Sequence, residues 1–202
     1  MSDEHDHEEH HTEAGSHEHH AHDASSVSFG VLTISSSRTL EDDASGDAIV
    51  DCLETAENTV AVRDLVTDDE QTIRKRLTEL LDDEAIDAVV TSGGTGLTPD
   101  DVTPEAASQL FDREIPGFGE QFRAQSVKEV GPHGMLTRAT AGIIDENPVF
   151  CLPGSEQAAS FGTSELVVPV VGHVVSLAGG DGHGHNDHGE HNHSGHDHGG
   201  HE

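Results

Sequence analysis

One run does most to decide what this chain can fold into: Thr91-Ser92-Gly93-Gly94-Thr95-Gly96-Leu97-Thr98-Pro99-Asp100-Asp101-Val102-Thr103-Pro104-Glu105-Ala106. It follows an apolar stretch, Ile86 to Val90, that reads as a buried strand. It then bends through three glycines, reaches an aspartate and enters a helix, with Thr103 as the expected N-cap and Pro104 in the first turn. Glycines let backbone approach a phosphate closely, and a helix start favours negative charge. A carboxylate between the two suits magnesium, which prefers carboxylates together with phosphate oxygens. A Gly-Gly-Thr-Gly bend alone is weak evidence, since most such bends only join a strand to a helix.

Strand and helix signals alternate around this run. Val27–Ser35 reads as a strand, and Ser45 is expected to cap a helix reaching Ala56. Thr59–Val66 reads as a second strand. Asp68 or Asp69 starts a helix in which Ile73, Leu77, Leu80 and Leu81 recur at helical spacing. Helices are expected over Pro104–Phe111 and Gly117–Glu129, and short strands over Ala139–Ile144 and Pro148–Leu152 around a turn at Asp145-Glu146-Asn147. Ser155 opens a helix to about Leu166, and Val167–Ala178 reads as apolar helix. This order predicts a parallel sheet covered on both faces, with ligands beyond the carboxyl ends of its strands. Ser35, Asp68, Gly93–Asp101 and Gly154-Ser155 all fall just after expected strands, so they should converge on one crevice.

Composition divides the chain into three parts. Residues 1–24 and 179–202 hold 16 of the 18 histidines, 13 of the 40 acids and no lysine or arginine, and residues 25–178 hold all six phenylalanines. Segments so poor in apolar groups cannot offset their ordering entropy by burial, so both are expected to be disordered tails around one α/β domain. Their clustered imidazoles suit transition metals, with zinc or nickel the expected ions; a solvated, solubilising tail is the plainer alternative.

The formal net charge is −31, and only two of the nine bases are lysine. An acidic, lysine-poor surface suits concentrated salt, where screening reduces self-repulsion. A basic protein partner is the competing explanation. The same charge argues against nucleic-acid and anionic-membrane binding. With no signal peptide or spanning segment in view, a cytoplasmic location is expected. The two cysteines, Cys52 and Cys151, are expected to be buried and reduced.

Four blocks, in order and spacing, resemble the molybdenum-cofactor biosynthesis family typified by MoaB and MogA. They are Leu32-Thr33-Ile34-Ser35 with Ser45-Gly46; Leu65-Val66-Thr67-Asp68-Asp69; the Gly93–Ala106 run; and Leu152-Pro153-Gly154-Ser155. Phe111–Glu120 is similar to the family's middle segment, and the resemblance extends from about Val27 to Ala178. It implies a three-layer α/β sandwich with a mostly parallel sheet. It also implies adenylylation of molybdopterin by ATP with magnesium, releasing pyrophosphate. Asp68 and Asp101 would be the catalytic and metal carboxylates. Gly93, Gly94, Thr95, Gly96, Ser45, Gly46, Pro153, Gly154 and Ser155 would bind the nucleotide and pterin. A homotrimer or hexamer, and a molybdenum-insertion protein downstream, are further implications. Alternatives on the same fold are a pterin-binding or metal-buffering protein without turnover, and a relative acting on another nucleotide.

Each of these residues also has a plainer explanation. Asp101 and Asp68 are equally well helix-start acids, Ser155 an ordinary cap, and the glycines ordinary turn residues. Asp69 and Asp100 read as surface acids. Arg38, Arg113, Arg123 and Arg138 suit either a phosphate or one of the abundant carboxylates. His133 reads as a solvated loop histidine. The sequence departs from the family at Ser36, where many relatives carry Asp or Asn, and at Asp100, where several carry a base. It departs again at Glu156 and Gln157, where proline and a base are frequent.

Overall fold

A computed structural model describes residues 24–180. The two histidine-rich segments, and with them the expectations of disorder and metal binding, lie outside the described residues apart from Ala24, Gly179 and Gly180.

Six strands form one sheet: β1 (Ser28–Ile34), β2 (Thr59–Val66), β3 (Ala88–Ser92), β4 (Arg113–Glu114), β5 (Thr140–Ile144) and β6 (Asn147–Leu152), in the order β2-β1-β3-β6-β5-β4. β2, β1, β3 and β6 run parallel, and β5 is antiparallel to both β6 and β4. The α/β class with a mostly parallel sheet is therefore as the sequence predicts. The β5–β6 hairpin turns at Asp145 and Glu146, whose φ angles of 46° and 71° match the two-residue bend that suits strand twist.

Side-chain alternation along the strands feeds two cores. Phe29 and Val31 of β1, Ala88 and Val90 of β3, and Phe150 and Leu152 of β6 face one side. There they meet Ile49 and Leu53 of α1 (Ala44–Thr55), Phe118 and Phe122 of α4 (Pro116–Val130), and Ala159, Leu166, Val167 and Val171 of the final helical run. Leu32, Ile34, Val89, Val149 and Cys151 face the other side, against Ile73, Leu77 and Leu80 of α2 (Glu70–Leu81) and Ala106 and Ala107 of α3 (Thr103–Ser108). The period of two built into a strand thus produces the three layers.

The final run comprises α5 (Glu156–Gly162), a π turn (Thr163–Val167) and α6 (Val168–Ala178). Within it Val168 N bonds back five residues to Thr163 O. Pro169 follows at once, and having no N–H it cannot supply the usual bond to the carbonyl four residues back. At 23 residues and mean hydropathy 1.4, Glu156–Ala178 is long and apolar enough by length and composition to cross a membrane, an exception to the expectation that no such segment exists. In the fold, its buried residues pack on the sheet.

Two helix starts differ from expectation. Asp43, not Ser45, caps α1: its Oδ1 accepts from Gly46 N at 3.0 Å, and Ser45 lies inside the helix. α3 starts at Thr103 itself, after Val102 and with no side-chain cap, because Thr103 N donates to Gly94 O at 3.0 Å. Asp69 caps α2 and Ser155 caps α5. Cys151 is buried, and desolvation pushes its thiol up to about 11. Cys52 is only half-buried, since it lies at the seam where α1 meets Ser160 of α5.

Candidate functional site

A crevice of about 540 Å³ opens where β1, β3 and β6 end. Ser35, Ser37 and Arg38 form its wall after β1. Gly93, Gly94, Thr95, Gly96 and Asp101 contribute after β3, and Pro153, Gly154 and Ser155 after β6. Leu136 and Thr137 close it from the 3-10 turn Gly131–Leu136 and the residue that follows. Three of the four sequence blocks thus meet at one place, as their positions after strands require.

The glycine bend is built by close approach. Gly93 and Gly94 have φ of 109° and 64°, where L side chains are strained. A Cβ on Gly93 would lie 2.2 Å from Ile34 O, and one on Gly94 would lie 2.3 Å from Thr103 Oγ1. The bend after β6 touches the first: a Cβ on Gly154 would lie 3.1 Å from Gly93 Cα, and Gly93 N donates to Leu152 O at 3.0 Å.

Asp101 sits at the mouth of this bend. Its Oδ2 accepts from Thr98 N at 2.8 Å and from Thr98 Oγ1 at 2.7 Å. Partial burial opposes ionisation, but the Thr98 and Gly96 hydrogen bonds, with Arg138 nearby, outweigh it and hold the carboxyl below its usual range. The group is therefore an anion at neutral pH.

Arg138 braces the same loop from behind. Its backbone N donates to Thr95 O at 2.8 Å and its Nε to Gly96 O at 2.7 Å. The guanidinium also donates to Asp101 O and to the Glu105 carboxylate. The planar fork suits this use, because several carbonyls can be held at once. Thr137, beside it, places Oγ1 3.3 Å from Thr95 Oγ1.

Arg38 is the cation lining the crevice. Nη1 donates to Ser45 Oγ at 2.9 Å and Nη2 to Gly154 O at 3.0 Å, so the side chain ties the start of α1 to the bend after β6. Its support is a fully buried carboxylate, Asp43. That group accepts from Thr33 Oγ1 at 2.6 Å, Ser45 Oγ at 3.0 Å and Arg63 Nη2 at 3.1 Å. Burial pushes the Asp43 carboxyl up, but the hydrogen bonds from Thr33, Gly46, Arg63 and Ser45 prevail and lower it. Ser45 and Gly46 therefore stand behind Arg38 instead of lining the crevice themselves.

Asp68 is not among the lining residues. Its Oδ2 accepts from Ser36 N at 2.6 Å, and its backbone N donates to Ser36 Oγ at 3.3 Å. It shapes the loop whose neighbours, Ser35 and Ser37, do line the crevice. Among the described residues no group of three or more His, Cys, Asp or Glu is placed to hold a metal. Arg123 turns to Ala139 O, and Arg113 lies in β4. His133 lines a smaller apolar pocket with Phe122, Val130 and Phe161, which shares Thr137, Pro153 and Ser155 with the crevice.

Sequence reasoning missed Asp43, Arg63 and Thr137, and it left the role of Arg138 open. An arginine inside strand β2 of so acidic a chain was a signal for a buried partner, and an aspartate two residues before Ser45 was a signal for a cap.

Residues 30–173 match the family model described as a probable molybdopterin binding domain. The chain belongs to this molybdenum-cofactor biosynthesis family. Molybdenum cofactor biosynthesis protein B of Bacillus subtilis is 40% identical over 146 residues, covering 72% of this chain and 86% of that protein. Its counterpart in Escherichia coli is 36% identical over 141 residues, covering 70% and 83%. The crystal structure of the tungsten cofactor synthesizing protein MoaB from Pyrococcus furiosus superposes with a TM-score of 0.69 at 39% identity, covering 77% of this chain and 98% of that one.

Proposed function

We propose that this protein works in molybdenum-cofactor biosynthesis as a molybdopterin adenylyltransferase. In this reading ATP and the terminal phosphate of molybdopterin meet in the crevice, adenylyl-molybdopterin forms and pyrophosphate leaves. The observation that carries the reading is the joining of the Gly93–Gly96 bend, the Asp101 carboxylate and the Arg38 guanidinium in one crevice. The bend offers backbone to phosphate oxygens, and Arg38, pre-positioned by Ser45 and Gly154, offers two donors and a charge. Transfer at phosphorus depends chiefly on positioning and charge neutralisation, which such a set supplies. The adjoining pocket of Phe122, Val130, His133 and Phe161 suits a flat ring.

Asp101 fits magnesium as one carboxylate ligand, since that ion keeps waters and takes phosphate oxygens for the remainder. When bound, magnesium neutralises phosphate charge and polarises the reacting phosphate. Asp68 enters only by way of the Ser36 loop, and this favours a second reading, a pterin-binding protein without turnover. Incubation with ATP, magnesium and molybdopterin separates the two. Pyrophosphate release that falls at least about a hundredfold in Asp101→Asn is expected, a loss typical of removing one charge-stabilising group. Tight pterin binding with no adenylylated product would instead establish the second reading. Unchanged release in Asp101→Asn would remove Asp101 from the chemistry.

A further inference from the structure

Thr137, Pro153 and Ser155 line both the crevice and the apolar ring pocket, so they mark where the two join. The hydrogen bonds at this junction leave it with donors only. Thr137 Oγ1 accepts from Ala139 N at 3.2 Å. Its other neighbour is Thr95 Oγ1 at 3.3 Å. Thr95 is 2% exposed, and its hydroxyl has no further hydrogen-bond partner among the described residues. A buried hydroxyl that kept its proton unpaired would carry the full desolvation cost, so Thr95 donates to Thr137. A hydroxyl oxygen has two lone pairs, and both of those on Thr137 are then filled. What Thr137 retains is its proton, for which no acceptor lies among the described residues. Ser155 is placed alike. Its Oγ accepts from Ala158 N at 3.3 Å, and its proton is unspent among the described residues. The Pro153 carbonyl already accepts from Ser92 Oγ at 3.4 Å. No carboxylate is shared by the two cavities: Asp101 lines the crevice and Glu129 the ring pocket.

We propose that Thr137 selects the substrate by donating to a phosphate oxygen at this junction. The site then takes a ring compound that carries a phosphate monoester and discriminates against the same ring without it. The proposal rests on the reading that a pterin occupies the ring pocket. An ionised phosphate accepts at its oxygens, which is what two donors without a free acceptor match. Arg38, which also lines the crevice, adds the charge. A site built to hydrogen-bond a substrate group rejects the analogue lacking it, because its own polar groups are then left unpaired.

The test measures binding of molybdopterin and of its dephosphorylated form, without oxygen or ATP, to the full chain and to Thr137→Ser and Thr137→Val. The native chain is expected to prefer the phosphorylated ligand. Thr137→Val is expected to weaken that ligand about tenfold or more, the usual loss for a hydrogen bond to a charged group, and to leave the dephosphorylated one within about twofold. Thr137→Ser keeps the hydroxyl and is expected to restore the native preference. Valine also leaves Ala139 N without its acceptor, so the dephosphorylated ligand is the control for a distorted pocket. Equal weakening of both ligands in Thr137→Val, or no weakening of either, would overturn the assignment. So would a Thr137→Ser protein as weak as Thr137→Val. Turnover is read separately, on adding ATP and magnesium. A native chain that shows the Thr137-dependent preference but yields no adenylylated product overturns the transferase reading alone. A native chain that binds both forms equally overturns the role of Thr137 alone, and one that binds neither overturns both.

Discussion

Asp43 is the residue on which the order of the crevice depends most indirectly. It is fully buried, and it holds Ser45, Gly46, Thr33 and Arg63 through one carboxylate. Asp43→Ala leaves Arg63 without its buried partner and frees Ser45, so a loss of about 3 kcal/mol is expected in urea unfolding. Because the folded-state pKa lies below the ordinary 3.8, this contribution is complete above the unfolded value and is lost as pH falls through the folded one. Stability of the native chain should therefore decline below about pH 4 more steeply than that of Asp43→Asn. Equal acid slopes would show that the carboxylate adds nothing. Arg38→Ala removes the crevice's guanidinium but leaves the core untouched. Nucleotide binding is expected to weaken about tenfold or more, in line with loss of a charged hydrogen bond, with the urea midpoint shifted little. The Asp43 network was poorly legible because its members are distant in sequence and individually ordinary: a cap, a strand arginine, a threonine.

At the scale of the elements, β6 ties the hydrophobic core to the crevice. It supplies Phe150 to the core and then turns into Pro153-Gly154-Ser155. Phe150 meets Phe118 of α4 with ring centroids 5.3 Å apart. Phe150→Ala is expected to destabilise by about 3–5 kcal/mol, the usual loss for a buried ring. A change under about 1 kcal/mol would mean that the site collapses without a cavity. The strands and long helices were readable because hydrophobic period reports which face is buried: Ile73, Leu77 and Leu80 are fully covered, as their spacing required. Short elements were not. β4 has two residues, and the 3-10 turn Gly131–Leu136 carries no period, so Leu136 and Thr137 came to the crevice unannounced. Ser45 and Thr103 were misread as caps because a neighbouring group satisfied the helix start first: the Asp43 carboxylate in one case, the Gly94 carbonyl in the other.

For the whole molecule, 40 acids against nine bases make self-repulsion a global term. Its members are screened by salt, with a screening length of about 3 Å at 1 M. The thermal midpoint should therefore rise between 0.1 and 2 M potassium chloride. A flat profile would count against concentrated salt as the working medium and leave a basic partner as the explanation of the charge. Convergence of loops at the ends of β1, β3 and β6 was legible from connectivity alone, because parallel strands place all their exits on one side. The contact between Gly93 and Gly154 was not, yet it constrains descent. With no side chain separating them, neither bend can gain bulk unless its counterpart withdraws. Across generations the two must drift as a couple, and transplanting either one alone into a cousin would import a steric quarrel along with the loop.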